Sequence, residues 1–238
     1  MIGAAASRRR WVRLGEIRRQ ARDALALLLE RRLMMAAAAD ALILFQAAIR
    51  ALAGGGEADS LFNWGVLLPL VVLGTPVMAE VVALERRAGT LALALGTPSP
   101  ARFFLRRLSV PALLLTVQGA ALMALAWLSS PAPFPLLTTL VQIVLIGALL
   151  ATVVLFWAVT LRGEAGAVIF TSLATVALLG RWFFASPIPE RFKAASGWLL
   201  PAPPELLAWA ANAAVLAAAT LLFGAYSFRR LARPENLL

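Results

Sequence analysis

Runs of about 20 apolar residues constrain this chain more than any other feature, because a helix of that length crosses the hydrocarbon core of a bilayer. The chain has 238 residues, 61% of them hydrophobic, with a mean hydropathy of +0.84. An ordinary soluble domain holds only about 45–50% apolar residues. We therefore predict an all-α integral membrane protein whose transmembrane domain, residues 33–228, contains six helices: Leu33–Ala53, Leu61–Leu84, Phe103–Leu128, Leu136–Leu161, Ala165–Ala185 and Glu205–Phe228.

The distribution of charge predicts the orientation of these six helices. Most of the 22 Lys and Arg lie before the first apolar run, between the second and third, or after the sixth. Positive residues concentrate on the cytoplasmic side of membrane proteins. We expect a multi-pass protein of the bacterial cytoplasmic (inner) membrane with both termini cytoplasmic, a cytoplasmic tail at 229–238 and a proline-rich outer loop at 186–204. Anionic membrane lipids account for the basic balance, so no nucleic-acid partner is expected.

The residue types exclude most kinds of catalytic site. The chain has no Cys and no His, which excludes disulfides, Cys or His metal sites and any Ser-His or Cys-His catalytic pair. Asp occurs only at positions 23, 40 and 59, too dispersed for an acidic metal-phosphate site. The single Lys, Lys193, lies in no glycine-rich phosphate loop. We expect no catalytic residue, metal or cofactor in this chain, and an intramembrane enzyme is a weaker alternative.

Residues 1–32 are predicted to form a basic amphipathic helix on the cytoplasmic side. At 100° per residue, one face is apolar and the opposite face is basic. Such a helix next to a first membrane span typically lies in the headgroup layer. The alternative is a soluble helix docked on a partner protein. The residues that define the two faces are Trp11, Leu14 and Ile17 on the apolar side, and Arg13 and Arg19 on the basic side.

Asp40 and Glu80 are acidic residues inside the apolar runs, where a charged side chain costs about 2.5–3.5 kcal/mol at the bilayer centre. Asp40 is the deeper of the two. It either lines a cavity or gate, or it pairs with another span or sits at the water boundary. Glu80 has the same candidate role, or lies at the inner interface. The amides of Gln118, Gln142 and Asn212 are more typical of hydrogen bonds between spans than of ligand sites.

Three prolines lie within or near the ends of the predicted spans, at Pro69, Pro76 and Pro111. In membrane helices such prolines commonly produce kinks, because the freed backbone groups are satisfied by neighbours. Each kink is either a hinge or a fixed element of packing.

The chain between the second and third spans reads "ERRAGTLALALGTPSPAR" over residues 85–102. Gly89 and Thr90 form a break that can cap a new helix, and Leu91–Leu95 is apolar but far too short to cross a bilayer. Thr97-Pro98 ends it, since the residue before proline disfavours helix. A short apolar helix on the cytoplasmic side is expected to insert into a groove on another protein. The alternative is a reentrant or lipid-facing turn.

These residues resemble the coupling-helix signature of the permeases of type 2 ABC exporters. That signature is typically Glu-Arg-x-x-Gly-Thr-Leu-Glu-x-Leu-x-x-Thr-Pro, followed by a small residue and Arg. The chain departs from it at Ala92, where the family usually has Glu, so a salt bridge from that position is in doubt. The residues that fall on the signature are Glu85, Arg86, Gly89, Thr90, Leu91, Thr97 and Pro98. Leu95 lies one residue after the second leucine position of the signature, and Arg102 follows Pro98 by four residues.

The resemblance implies a half-transporter with the type 2 ABC exporter permease fold, an N-terminal interfacial helix and six spans. It implies two kinds of protein partner: a separate ABC ATPase subunit, which binds ATP and Mg, and a second permease copy or a paralogue. The coupling segment 85–102 would sit in a cleft of the ATPase and transmit its closure to the spans. Membrane lipids complete the expected partners.

Two other functions remain open from the residues themselves. A secondary transporter driven by an ion gradient would use Asp40 and Glu80 to bind protons. A membrane scaffold protein would recruit partners through the same short cytoplasmic helix without moving a substrate.

Overall fold

The structure is helical throughout the part of the chain that it describes. It is a computed structural model, and the described residues are 31–53, 58–87, 96, 99–129, 134–161 and 203–231. Every regular element within these ranges is a helix, which confirms the all-α prediction for them. The predicted fifth span lies outside the described residues, as do most of the N-terminal helix, the outer loop and the end of the tail.

Four long helices and one composite helix make up the described part of the fold. The composite helix is continuous and consists of a short helix α2, two π-helical turns and helix α3. The elements in chain order are α1 (Arg31–Leu52), α2 (Ala58–Phe62), the π turns Asn63–Leu67 and Leu70–Gly74, α3 (Thr75–Arg87), α4 (Pro100–Ser129), α5 (Leu136–Thr160) and α6 (Pro203–Leu231).

Five stretches of these helices are long and apolar enough to cross a membrane. They correspond to five of the six predicted spans, with ends that differ by a few residues, so the chain is a multi-pass membrane protein. The third span, helix α4, begins at Pro100, three residues before the predicted start. Proline fits the first turn of a helix, because the N–H group that it lacks would have no partner within the helix there. The stretches are Met34–Leu52, Ser60–Val81, Pro100–Ser129, Leu136–Thr160 and Trp209–Leu231.

The composite helix and α5 form the centre of the fold. The composite helix packs against α1, α4 and α5, and α5 also packs against α4 and α6. In the most apolar stretch of the composite helix, 71% of the residues are buried. The corresponding share is 17% in α1 and 17% in α6. Helices α1 and α6 are therefore the least buried of the described spans, and they carry exposed apolar side chains such as Phe45 and Leu221, as expected for contact with lipid.

Both π turns of the composite helix precede a proline by the same spacing. The turn Asn63–Leu67 ends two residues before Pro69, and Leu70–Gly74 ends two residues before Pro76. A proline ring in a regular α-helix clashes with the carbonyl four residues earlier. Widening the preceding turn to a five-residue hydrogen bond relieves the clash, as in the bond from the Thr75 N–H to the Leu70 carbonyl. By contrast, α4 stays α-helical through Pro111.

At Gly65 the composite helix lies close to both α1 and α4. A Cβ atom at Gly65 would overlap the Cδ2 atom of Leu122 in α4 and lie 3.3 Å from the Cβ of Ala47 in α1. Leu122 and Ala47 are both buried, so neither can move freely. Small residues let membrane helices approach closely enough to pack by van der Waals contact, and Gly65 permits this contact.

Gly65→Ala is expected to destabilise the protein by about 1–3 kcal/mol, the usual effect of overpacking a filled core. Gly224→Ala in α6 is the matched control, because its Cβ would meet nothing closer than 3.7 Å. The measurement is the thermal unfolding midpoint in detergent or nanodiscs. Equal midpoints for the two variants would contradict the tight packing at Gly65.

Candidate functional site

A hydrogen bond between a buried carboxyl and a half-buried amide joins α1 to α4 in the membrane interior. The Gln118 Nε2–H donates to Asp40 Oδ2 at 2.9 Å, and Asp40 is only 4% exposed. Gln118 lies on the α4 surface that faces α1, one turn before Leu122, whose side chain lies beside Gly65 of the composite helix. The sequence predicted Gln118 as a contact between spans, and the structure places it in that role, with Asp40 as its partner.

This pair lies close to the middle of the bilayer. At the α-helical rise, Asp40 is about 12 Å along the axis from Arg32 and about 15 Å from Arg50. Gln118 is about 17 Å from Arg107 and about 17 Å from Ser129. Helices α1 and α4 run in the same direction through the membrane. Both sets of distances place the Asp40 and Gln118 side chains near the centre of a hydrocarbon core about 30 Å thick.

Asp40 retains one unused oxygen. Within the described part of the chain, its Oδ1 atom is buried and has no hydrogen-bond partner. No group of three acidic side chains that could hold a metal ion occurs in the same part of the chain. A single carboxyl with one free oxygen and one amide donor can accept a proton or a hydrogen bond from a donor. It offers too few ligands to enclose a metal ion.

Gln142 in α5 is the second buried amide of the interior. It is fully buried, and neither its Oε1 nor its Nε2 atom has a hydrogen-bond partner among the residues described. An unsatisfied buried amide destabilises a fold, whereas an apolar group of similar size does not. The sequence predicted a contact between spans here, but the described residues supply no partner.

Gln142→Leu is expected to leave the protein as stable as the wild type or more stable by about 1 kcal/mol, because it removes two unsatisfied polar atoms from an apolar interior. The thermal midpoint in nanodiscs checks this. A clear loss of stability would show that the amide has a partner outside the described residues.

The structure places Glu80 near the end of the membrane stretch. Glu80 is half-buried in α3, one residue before the stretch Ser60–Val81 ends. Its Cα is about 10 Å from Arg87 along the helix axis, so it lies towards the end of the span that leads into residues 88–99. That this end faces the cytoplasm stays a prediction. Asp40 is therefore the deeper of the two acidic candidates.

The described residues include the two ends of the predicted coupling segment and, between them, Gly96 alone. Helix α3 continues six residues past the membrane stretch and carries Glu85 and Arg86 in its final turns. Arg102 is exposed in the first turn of α4. The remaining site residues lie outside the described residues: Gly89, Thr90, Leu91, Leu95, Thr97 and Pro98 of the segment, and Trp11, Arg13, Leu14, Ile17 and Arg19 of the N-terminal helix.

An aromatic cluster with an attached arginine, which the sequence analysis missed, joins α5 to α6. The Phe156 ring lies 5.1 Å from Phe223 and 5.0 Å from Tyr226, measured between ring centroids. Arg230 Nη1 donates to the Tyr226 hydroxyl at 2.9 Å. The signal available in the sequence was the Tyr-x-x-x-Arg spacing, since residues four apart share a helix face.

No protein-family model, curated protein or solved structure matches this chain.

Proposed function

We propose that this chain is the transmembrane permease subunit of an ATP-driven exporter of the type 2 ABC class. It would dimerise with a second copy or a paralogue and couple to a separate ATPase subunit, so it is not an enzyme by itself. The observation that carries the proposal is the coupling signature at residues 85–102, together with its position between two membrane-spanning helices.

The positions of the helix ends support this proposal. The composite helix leaves its membrane stretch at Val81 and continues to Arg87, and α4 starts at Pro100. Residues 88–99 therefore connect two spans on one side of the membrane, and the apolar run Leu91–Leu95 lies within this connection. A short apolar segment outside the bilayer needs a protein surface to bury it.

The charges at the helix ends support a common cytoplasmic side for this connection. Arg106 and Arg107 follow the start of α4, Arg31 begins α1, and Arg229 and Arg230 lie in the last turn of α6. All of these residues lie on the side of residues 88–99, if successive spans cross in opposite directions. Their concentration agrees with the positive-inside rule, and an ATPase driven by cellular ATP would dock on that face.

In the proposed mechanism, ATP binding closes the ATPase pair, and the short helix predicted at Leu91–Leu95 moves with the cleft that holds it. The segment follows directly after α3, the last part of the composite helix, which is the most buried of the described helices. A displacement at residue 88 is thereby applied to the centre of the bundle. The coupling free energy arises because the segment makes different contacts with the two ATPase states.

The test is to purify a tagged copy from its native membrane in nanodiscs and to identify copurifying proteins by mass spectrometry. A stoichiometric subunit with a Walker motif, whose ATP turnover responds to the permease, is the expected result. Purification of the chain alone, or with a partner that has no nucleotide-binding motif, would contradict the proposal.

A secondary transporter driven by an ion gradient is the second candidate, and the buried Asp40 carboxyl is the observation that favours it. Transport that follows a pH gradient in proteoliposomes without any ATPase, and that is lost in Asp40→Asn, would support this alternative over the first. A scaffold role would show neither ATP-dependent nor gradient-dependent transport.

A further inference from the structure

Near the carboxyl ends of α5 and α6, an arginine is held in a fixed position by aromatic packing. Arg230 donates to the hydroxyl of Tyr226, one turn earlier on the same helix, at 2.9 Å. The Tyr226 ring packs on Phe156 of the neighbouring helix at 5.0 Å, and Phe156 packs on Phe223 at 5.1 Å. The guanidinium is therefore oriented by a hydroxyl whose own ring is fixed by two helices.

This arrangement leaves several hydrogen-bond donors unused. In the bond with Arg230 the tyrosine oxygen is the acceptor, so its O–H remains free to donate. A guanidinium has five N–H groups, of which this bond uses one. Arg229, the next residue, is exposed. Neither arginine forms an ion pair with a carboxylate of the described residues, so the group offers donors and positive charge without an opposing anion.

The depth of Tyr226, Arg229 and Arg230 in the membrane indicates which ligand they can bind. Tyr226 is 44% exposed and lies five residues before the end of the membrane stretch Trp209–Leu231, in the zone where tyrosine meets lipid headgroups. Arg229 and Arg230 lie one turn further out. The anion present at this depth in a bacterial membrane is the phosphodiester of an acidic phospholipid. Arginine binds phosphate oxygens through two parallel N–H bonds.

We propose that Tyr226, Arg229 and Arg230 form a binding site for one anionic phospholipid in the leaflet at the carboxyl ends of α5 and α6, which is the predicted cytoplasmic leaflet. Arg230 binds the phosphate through two parallel N–H groups of its planar guanidinium. The Tyr226 O–H donates a hydrogen bond to a phosphate oxygen, and Arg229 adds positive charge from the adjacent position. The lipid's acyl chains run along the exposed apolar side chains of α6, such as Leu221 and Leu222. The site does not depend on whether the chain couples to an ATPase.

A built site differs from general attraction between basic residues and an acidic membrane. A single arginine near such a surface contributes about fivefold to lipid affinity wherever it lies. If charge attraction alone bound the lipid, Tyr226→Phe would leave the affinity unchanged and Arg230→Lys would leave it nearly unchanged, since both variants keep the net charge. A site that uses the tyrosine hydroxyl and the planar fork is weakened by both, because lysine cannot reproduce two parallel bonds.

The experiment measures how much phosphatidylglycerol, titrated into phosphatidylcholine nanodiscs, remains bound to the full chain in native mass spectrometry. We expect Tyr226→Phe and Arg230→Lys each to lower the apparent affinity for phosphatidylglycerol by about three- to tenfold. Arg230→Gln is expected to lower it by more than tenfold. Arg106→Gln in α4 is the matched control, because it removes one positive charge just as Arg230→Gln does. It is expected to lower the affinity for phosphatidylglycerol by no more than about fivefold.

Unchanged binding in Tyr226→Phe and Arg230→Lys, with equal losses in Arg230→Gln and Arg106→Gln, would overturn the proposal in favour of general attraction. Inorganic phosphate in millimolar excess is the second arm. If it displaces the lipid as effectively as soluble phosphatidylglycerol does, the site binds a soluble anion and the lipid assignment is wrong. Thermal midpoints of all variants in pure phosphatidylcholine establish that each one is folded.

Discussion

Leu91→Asp is expected to separate the permease from its ATPase while leaving membrane insertion intact. If Leu91 inserts into an apolar cleft of the partner, the variant places an unpaired carboxylate there, at an effective penalty of several kcal/mol. Since about 1.4 kcal/mol is a tenfold change in affinity, binding should weaken by at least about 100-fold. The measurement is the molar ratio of ATPase to permease after gentle purification.

Ala92→Asp is the matched control for this experiment. It adds the same charge one residue along, at the position where the type 2 exporter signature usually has Glu. The resemblance therefore predicts that this variant keeps the ATPase. Normal copurification of Leu91→Asp would contradict the docking role of Leu91. Loss of the ATPase from both variants, with normal insertion and a monodisperse permease, would show that a negative charge at either position of the segment prevents ATPase binding.

The second large effect is expected from Gln118→Leu. This change removes the only hydrogen-bond donor that the described residues provide to Asp40, and leaves both oxygens of a buried carboxyl unsatisfied near the bilayer centre. A buried group that loses its partner costs about 1–3 kcal/mol, and more if it is charged. At roughly 2–4 °C per kcal/mol for a chain of this size, the thermal midpoint should fall by several degrees.

A double-variant cycle tests whether this loss belongs to the pair. Asp40→Leu with Gln118→Leu replaces both partners by apolar groups, which is expected to be close to neutral. The double variant should therefore be more stable than Gln118→Leu alone. Gln142→Leu makes the same substitution where the amide has no described partner, and should not lower the midpoint. If Gln118→Leu behaves like Gln142→Leu, the bond to Asp40 contributes nothing to stability.

Hydropathy predicted where the helices are but not how they pack. Five spans agree with the structure because a run of about 20 apolar residues has few alternatives to a membrane helix. Burial does not follow hydropathy, however. The composite helix has a mean hydropathy of 1.7 and is 71% buried, whereas α1 has 1.6 and is 17% buried. Lipid and protein interior are equally apolar, so the sequence does not separate the faces that meet them.

The polar contacts show a similar division. The sequence identified Asp40 and Gln118 separately, since a polar residue within an apolar run needs a partner. Their pairing was not predictable, because it depends on the rotation of two helices about their axes. The bond between Tyr226 and Arg230 lies within one turn of one helix, so its spacing is visible in the sequence. Its packing on Phe156 requires knowledge of which helices are neighbours.

The two π turns of the composite helix have a consequence for how the gene can change over time. A π turn holds one more residue than an α turn that fills the same place in a helix. A descendant that loses one residue from Leu70–Gly74 and also replaces Pro76 can therefore close the turn to α-helical form without a proline clash, and keep the alignment of the residues on either side. Related genes that lack Pro69 or Pro76 should show one-residue gaps here, within a membrane span, at the turn that precedes the missing proline.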